Sequence, residues 1–169
     1  NSWVWKMGAK INGIPVQIFI MLILFVIAHI ILKKTSYGYK VYATGGNDKA
    51  AHLSGINIKN TRLIAFAAMG VLCALAALIS TAYLNTVTTT SGEGREMDAI
   101  AAVILGGAAL SGGRGTILGT FLGAIIMATV KNGMVLLNVP VFWQDGFIGV
   151  VVIIAVLIDT LIHRKDEKR

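Results

Sequence analysis

Three apolar runs dominate the chain: Ile14 to Leu32, Leu63 to Tyr83 and Gly146 to Ile162. Each has the length at which a helix crosses the roughly 30 Å hydrocarbon core of a bilayer. A fourth region, Ala99 to Leu137, is apolar but broken by glycines, and residues 33 to 62 form a polar, charged connector between the first two runs. This pattern predicts an all-α, polytopic membrane helical bundle forming a single transmembrane domain. No period-two alternation suggests a barrel.

Charge orients the runs. Lys33, Lys34, Lys40, Lys49, Lys59 and Arg62 stand against Asp48 in the first connector, and "RKDEKR" follows the last run. The positive-inside rule places both on the cytoplasmic side. "NTVTTTSGEGREMD", with Glu93, Glu96 and Asp98 against Arg95, suits the outer side. Parity then requires Ala99 to Leu137 to begin and end outside. Ala99 to Leu110 is about 18 Å of helix, too short to cross, whereas Thr116 to Leu137 is long enough. A half-helix entering from outside, a glycine turn at Gly112 to Gly115 and a returning helix satisfy the constraint. Irregular backbone at membrane depth is tolerated where protein or a water-filled cavity covers it. Asp98, Leu105, Gly106, Gly107, Gly112 and Gly113 are therefore candidates for lining or gating a pathway. Asp98 is expected first of all to cap the half-helix through its carboxylate.

Aromatic residues fit this layout, with Trp3, Trp5, Phe142 and Trp143 at the outer boundary and Tyr37, Tyr39 and Tyr42 at the inner one. Gly115, Gly119 and Gly123, four residues apart in "GTILGTFLG", form a small-residue ridge for close helix packing, within this subunit before any dimer. "GGAALSGGRGT" fails as a nucleotide loop, because Gly113 and Arg114 stand where a phosphate-binding motif needs Lys and Ser or Thr. Arg114 is expected to snorkel, and Lys131 and Asp159 to act as anchors or local pairs.

Composition narrows the class. The chain is 56% hydrophobic with 14% charged residues, so its net charge of +7 is assigned to topology and lipid rather than to nucleic acid. His29, His52 and His163 have no metal-site spacing, and no nucleophile–base set can be assembled locally. A metal site, a resident cofactor and enzymatic activity on this chain are not expected. Cys73 reads as a small buried hydrophobe. The opening "NSWVWKMGAKING", starting at Asn1 without a signal peptide, reads as a loop entering a span, and the chain as the C-terminal part of a longer protein.

"GNDKAAHLSG" interrupts the apolar pattern with a short soluble-looking helix, Asp48 to Ser54. Asn47 can cap it, Asp48 suits its first turn, and Gly55 suits the left-handed residue after its end. Two turns are marginal alone in water, so a partner is expected. Ala50 and Leu53, with Ala51 beside them, offer a small apolar strip for a groove on another protein. An interfacial helix resting on lipid is the competing reading.

"KAAHLSG" resembles the EAA loop of ABC importer permeases, with Ala50, Ala51 and Gly55 matching and Lys49 in place of the glutamate. "YATGGNDKAAHLSGINIKNTR", "EMDAIAAVILGGAALSGGRGTILGT" and "NGMVLLNVPVFWQ" together resemble the ribose/xylose/galactose family of monosaccharide ABC permeases over nearly the whole chain. The resemblance implies a bacterial inner-membrane permease importing a pentose or hexose. It also implies a second permease subunit, a periplasmic sugar-binding protein, and a cytoplasmic ATP-binding subunit carrying ATP-Mg. Residues Asn47, Asp48, Lys49, Ala50, Ala51, Leu53, Ser54 and Gly55 become the ATPase-coupling set. A related ABC permease for branched-chain amino acids or a signalling furanose, and an ion-coupled secondary transporter, are the alternatives.

Overall fold

The computed structural model describes residues 10–11, 14–84, 86, 90 and 92–166, with side chains undescribed at 10–14 and 158–166. Trp3, Trp5 and the end of the basic tail lie outside the described residues, as do the side chains of Asp159 and His163. The fold is all-α apart from one two-residue antiparallel pair, β1 (Lys10–Ile11) with β2 (Ile14–Pro15). Seven helices follow among the described residues: α1 (Val16–Lys34), α2 (Ser36–Gly46), α3 (Asp48–Leu53), α4 (Ile58–Leu84), α5 (Arg95–Leu105), α6 (Ile117–Leu136) and α7 (Val141–Asp166). Helices α1, α4 and α6 are long and apolar enough to cross a membrane, and α7 is apolar from Val141 to Leu157. The chain divides into two compact units, up to Gly92 and from Glu93.

In the first unit, local side chains start each helix of the connector. Thr35 sits in extended backbone between α1 and α2; its hydroxyl donates to the Ile31 carbonyl at 2.6 Å and accepts from Gly38 N at 3.3 Å. Asn47 accepts from Ala50 N at 3.0 Å, and Asn57 from Asn60 N at 3.1 Å. Each cap satisfies an amide that the following helix leaves free. The 11-residue helix α2 was not predicted, because "SYGYKVYATGG" holds weak helix formers and three glycines. Packing supplies what propensity lacks: a Cβ at Gly38 would overlap the Leu32 carbonyl, so α2 leaves α1 at backbone contact.

The second unit is built around α5, the most strongly amphipathic of these helices. Its inner face buries Ala101, Ala102 and Ile104, and Ala101 and Ala102 form a core with Met127 of α6 and Ile148 of α7, flanked by Val151 and Val152. The returning helix α6 opens on Thr116, whose hydroxyl accepts from Gly119 N at 3.0 Å.

One kind of cap sets the C-terminal ends of α5, α3 and α6, at Gly55 as expected from the sequence and at Gly107 earlier than expected. Helix α5 ends at Leu105, five residues before the predicted Leu110, and its end is closed by Gly107 N to the Ile104 carbonyl (2.9 Å) and Ala108 N to the Val103 carbonyl (3.2 Å). That is a Schellman cap, and Gly107 takes its left-handed residue at φ 83°. The same pair of bonds ends α3 at Leu53, with Gly55 at φ 79°, and α6 at Leu136, with Asn138 at φ 55°. At its other end α5 begins at Arg95 behind Gly94, so Asp98 lies in the first turn and does not cap the helix. Gly115 falls in the turn before α6, leaving Gly119 and Gly123 as the helical part of the ridge.

Candidate functional site

Two constructions carry the candidate residues, one in each unit. The first is the connector α2–α3 with the opening turn of α4. Helix α3 turns Ala51 inward at 3% exposure; Ile56, Thr44 and Thr61 are also buried in this construction. Ala51 and Ile56 are also the residues joined by the outer Schellman bond, Ile56 N to the Ala51 carbonyl at 3.0 Å. The apolar strip therefore divides, with Ala51 anchoring the helix while Ala50 and Leu53 face outward, Leu53 at 88% exposure. Ser54 donates from its hydroxyl to the Ala50 carbonyl at 2.9 Å.

Two tethers fix this connector to the first two turns of α4. Arg62 donates to Asp48 Oδ2 in an exposed ion pair, and Tyr37 Oη donates to the Thr61 carbonyl at 3.3 Å. Lys49 stands exposed one residue further on, so the acid of this helix is Asp48, already paired within the chain. An open cleft of ≈ 620 Å³ runs between α3 and α4, and Asp48, His52, Gly55, Lys59 and Arg62 are among its lining.

The second construction is the α5–α6 pair with its glycine turn. A Cβ at Gly119 would overlap the Gly106 carbonyl, and one at Gly123 would overlap the Ala102 carbonyl. Only glycine lets the two backbones approach so closely. The turn is held by Ala109 N to the Arg114 carbonyl (3.0 Å) and Gly112 N to the Ala109 carbonyl (3.1 Å). Gly112 and Gly113 take φ 89° and 75°, and Leu105 closes the helix half-exposed.

At the other end of α5, Lys131 Nζ donates to Asp98 Oδ2 at 2.6 Å, the two side chains being 33% and 28% exposed. The other Asp98 oxygen is buried without a hydrogen-bond partner among the described residues. This pairing was not read from the sequence, where each residue was treated by itself. A lone base on apolar α6, with two acids, Glu96 and Asp98, in the first turn of the half-helix before it, is the signal that links them. Asp98 thus comes together with Lys131, and Gly106 with Gly119; Asp98 and Gly112 sit at opposite ends of the α5 hairpin. No group of three His, Cys, Asp or Glu side chains that could hold a metal occurs among the described residues.

A multi-pass helical chain, carrying a capped amphipathic connector helix between two membrane-length helices and a glycine-packed half-helix after them, defines the class of a membrane permease subunit. Over residues 2–156 the chain matches the family described as "Branched-chain amino acid transport system / permease component", and it belongs to this family of ABC permeases. It is 46% identical over 154 residues to the xylose transport system permease protein XylH of Haemophilus influenzae, covering 91% of this chain and 41% of that one. It is 48% identical over 147 residues to the ribose import permease protein RbsC of Bacillus subtilis, covering 87% and 46%. To the probable ABC transporter permease protein YphD of Escherichia coli it is 40% identical over 162 residues, covering 96% and 49%. The chain thus spans less than half the length of these relatives. No solved structure matches it.

Proposed function

We propose that this chain is part of the membrane-spanning subunit of a bacterial ABC importer that moves a pentose or hexose into the cytoplasm. ATP-Mg is bound and hydrolysed on a separate cytoplasmic subunit, a second permease copy completes the pathway, and a periplasmic sugar-binding protein delivers the cargo. The connector α2–α3 and the C-terminus face the cytoplasm of an inner-membrane protein, in keeping with their basic bias.

The observation that carries this reading is α3 itself: six residues, capped at both ends, tied to α4, and presenting Leu53 almost fully to solvent. So short a helix held rigidly is suited to docking, and its tethers to α4 suit it to passing movement into a membrane-length helix. Ribose and xylose permeases among the relatives support the sugar. Asp98, Leu105, Gly106, Gly107, Gly112 and Gly113 belong to the segment proposed to line or gate the pathway.

The test is ATP-driven uptake by the full-length permease, reconstituted with its ATP-binding subunit and binding protein in proteoliposomes. Accumulation of labelled ribose or xylose is expected. Accumulation of leucine in place of either sugar overturns the cargo, and uptake driven by an ion gradient without ATP overturns the coupling. Gly55→Val is expected to leave hydrolysis running while uptake falls; full uptake in that variant sinks the role given to α3.

A further inference from the structure

The cleft between α3 and α4 has an unbalanced lining. Its one carboxylate, Asp48, is engaged by Arg62. Lys59 and His52 also line it, both exposed, and neither has an acidic partner among the described residues. Lys49, exposed on α3, is equally without one. Beside this positive cleft stands Leu53, 88% exposed. An exposed apolar anchor next to uncompensated positive charge has the make-up of an interface core with its charged rim.

We propose that this cleft receives a carboxylate-bearing segment of the cytoplasmic ATP-binding subunit, with Lys59 as its main counter-charge and Leu53 seated in an apolar pocket alongside. The proposal rests on the coupling role given to α3 above and adds the chemistry of the surface that meets it. Charge complementarity selects an acidic partner. Asp48 opposes it only weakly, because Arg62, itself in the lining, pairs with that carboxylate. Lipid headgroups are the weaker match. Lys33 and Lys34, in the last turn of α1, already serve the membrane surface where an apolar span ends. A single leucine contributes only about 2 kcal/mol of apolar burial toward holding α3 on a bilayer.

The experiment places the full-length permease in nanodiscs and measures binding of its ATP-binding subunit by biolayer interferometry at low and high salt. Leu53→Cys is cross-linked to that subunit in parallel. Lys59→Glu is expected to weaken Kd about tenfold, the scale of one close charge pair at an interface, and Lys59→Met about threefold; Lys59→Arg should bind as the parent does. Restoration of tight binding to Lys59→Glu by an acid-to-Lys change on the ATP-binding subunit confirms the acidic occupant. If Leu53→Cys gives no cross-link, the coupling role itself fails and the proposal with it. If the cross-link forms but Lys59→Glu binds as tightly as the parent, the coupling role stands and the acidic occupant is wrong. If the loss disappears in nanodiscs of uncharged phosphatidylcholine, a lipid headgroup fills the cleft, and the proposal is overturned.

Discussion

Glycine serves opposite ends in the two units. In the connector, Gly55 is used for its backbone angle: φ is 79°, and a Cβ there would meet nothing within 4 Å. In the α5–α6 pair, Gly119 and Gly123 have ordinary helical backbone and are used for the missing side chain, since a Cβ would overlap the facing carbonyls. The first kind of glycine ends a helix so that it can be presented outward. The second kind lets one helix lie on another. A family pattern that records only the letter G merges these two demands, although their substitutions fail for different reasons.

Substitution should separate them. The largest effect is expected at Gly123: valine there forces α5 off α6 and destabilises by about 3 kcal/mol, the upper end for overpacking, with alanine milder. Size-exclusion thermostability in detergent reads this, and a Gly123→Val protein as stable as the parent would remove the close-packing half of the comparison. Next comes Lys131→Met, which strands the half-buried Asp98 carboxylate. About 2 kcal/mol is expected, below the figure for a fully buried pair because both groups keep some solvent. Adding Asp98→Asn should recover part of the loss, and a double variant no better than the single would show that the two do not act as a pair.

At Gly55 the order of tolerance should follow backbone angle and not volume. Asparagine, which visits the left-handed region readily, is expected to be nearly neutral, and alanine to cost about 1 kcal/mol. If asparagine proves worse than alanine there, Gly55 is a space-making glycine after all. Arg62→Ala removes an exposed ion pair and should change stability by about 0.5 kcal/mol or less, an effect that salt erases. The one change without a loss is Gly70→Ala in mid-α4, where a Cβ meets nothing within 4 Å. Helix propensity alone acts there, and stability is expected to rise, by about 1 kcal/mol at most.

What could be read from the sequence was what local residues decide. The long helices α1 and α4 fall on the first two apolar runs and α6 on the glycine-broken region, and α3 followed from Asn47, Asp48 and Gly55 because caps act within a few residues. Helix α2 was hidden because its stability comes from Gly38 against the α1 backbone, a contact no propensity reports. The end of α5 was misjudged because the apolar letters run on to Leu110 while the backbone turns at Gly107. The Asp98–Lys131 pair was missed because 33 residues separate its members, and only the α5 hairpin brings them together. Within α3, the sequence put Ala50, Ala51 and Leu53 on one strip, whereas the Schellman bond to Ile56 pulls Ala51 inward and leaves the other two for a partner.

The glycine contact between α5 and α6 also bears on how the chain is made. An 11-residue helix is about 16 Å long, too short to enter a bilayer as a span of its own. The ribosome releases α5 before the helix that shelters it exists. At about 5–20 residues per second, the wait from Leu105 to Leu136 lasts a few seconds. During that interval α5 lacks the α6 backbone against which Gly106 packs. Slowing elongation across residues 106–136 should therefore lower the yield of inserted protein, while a fragment ending at Leu84 is made as before.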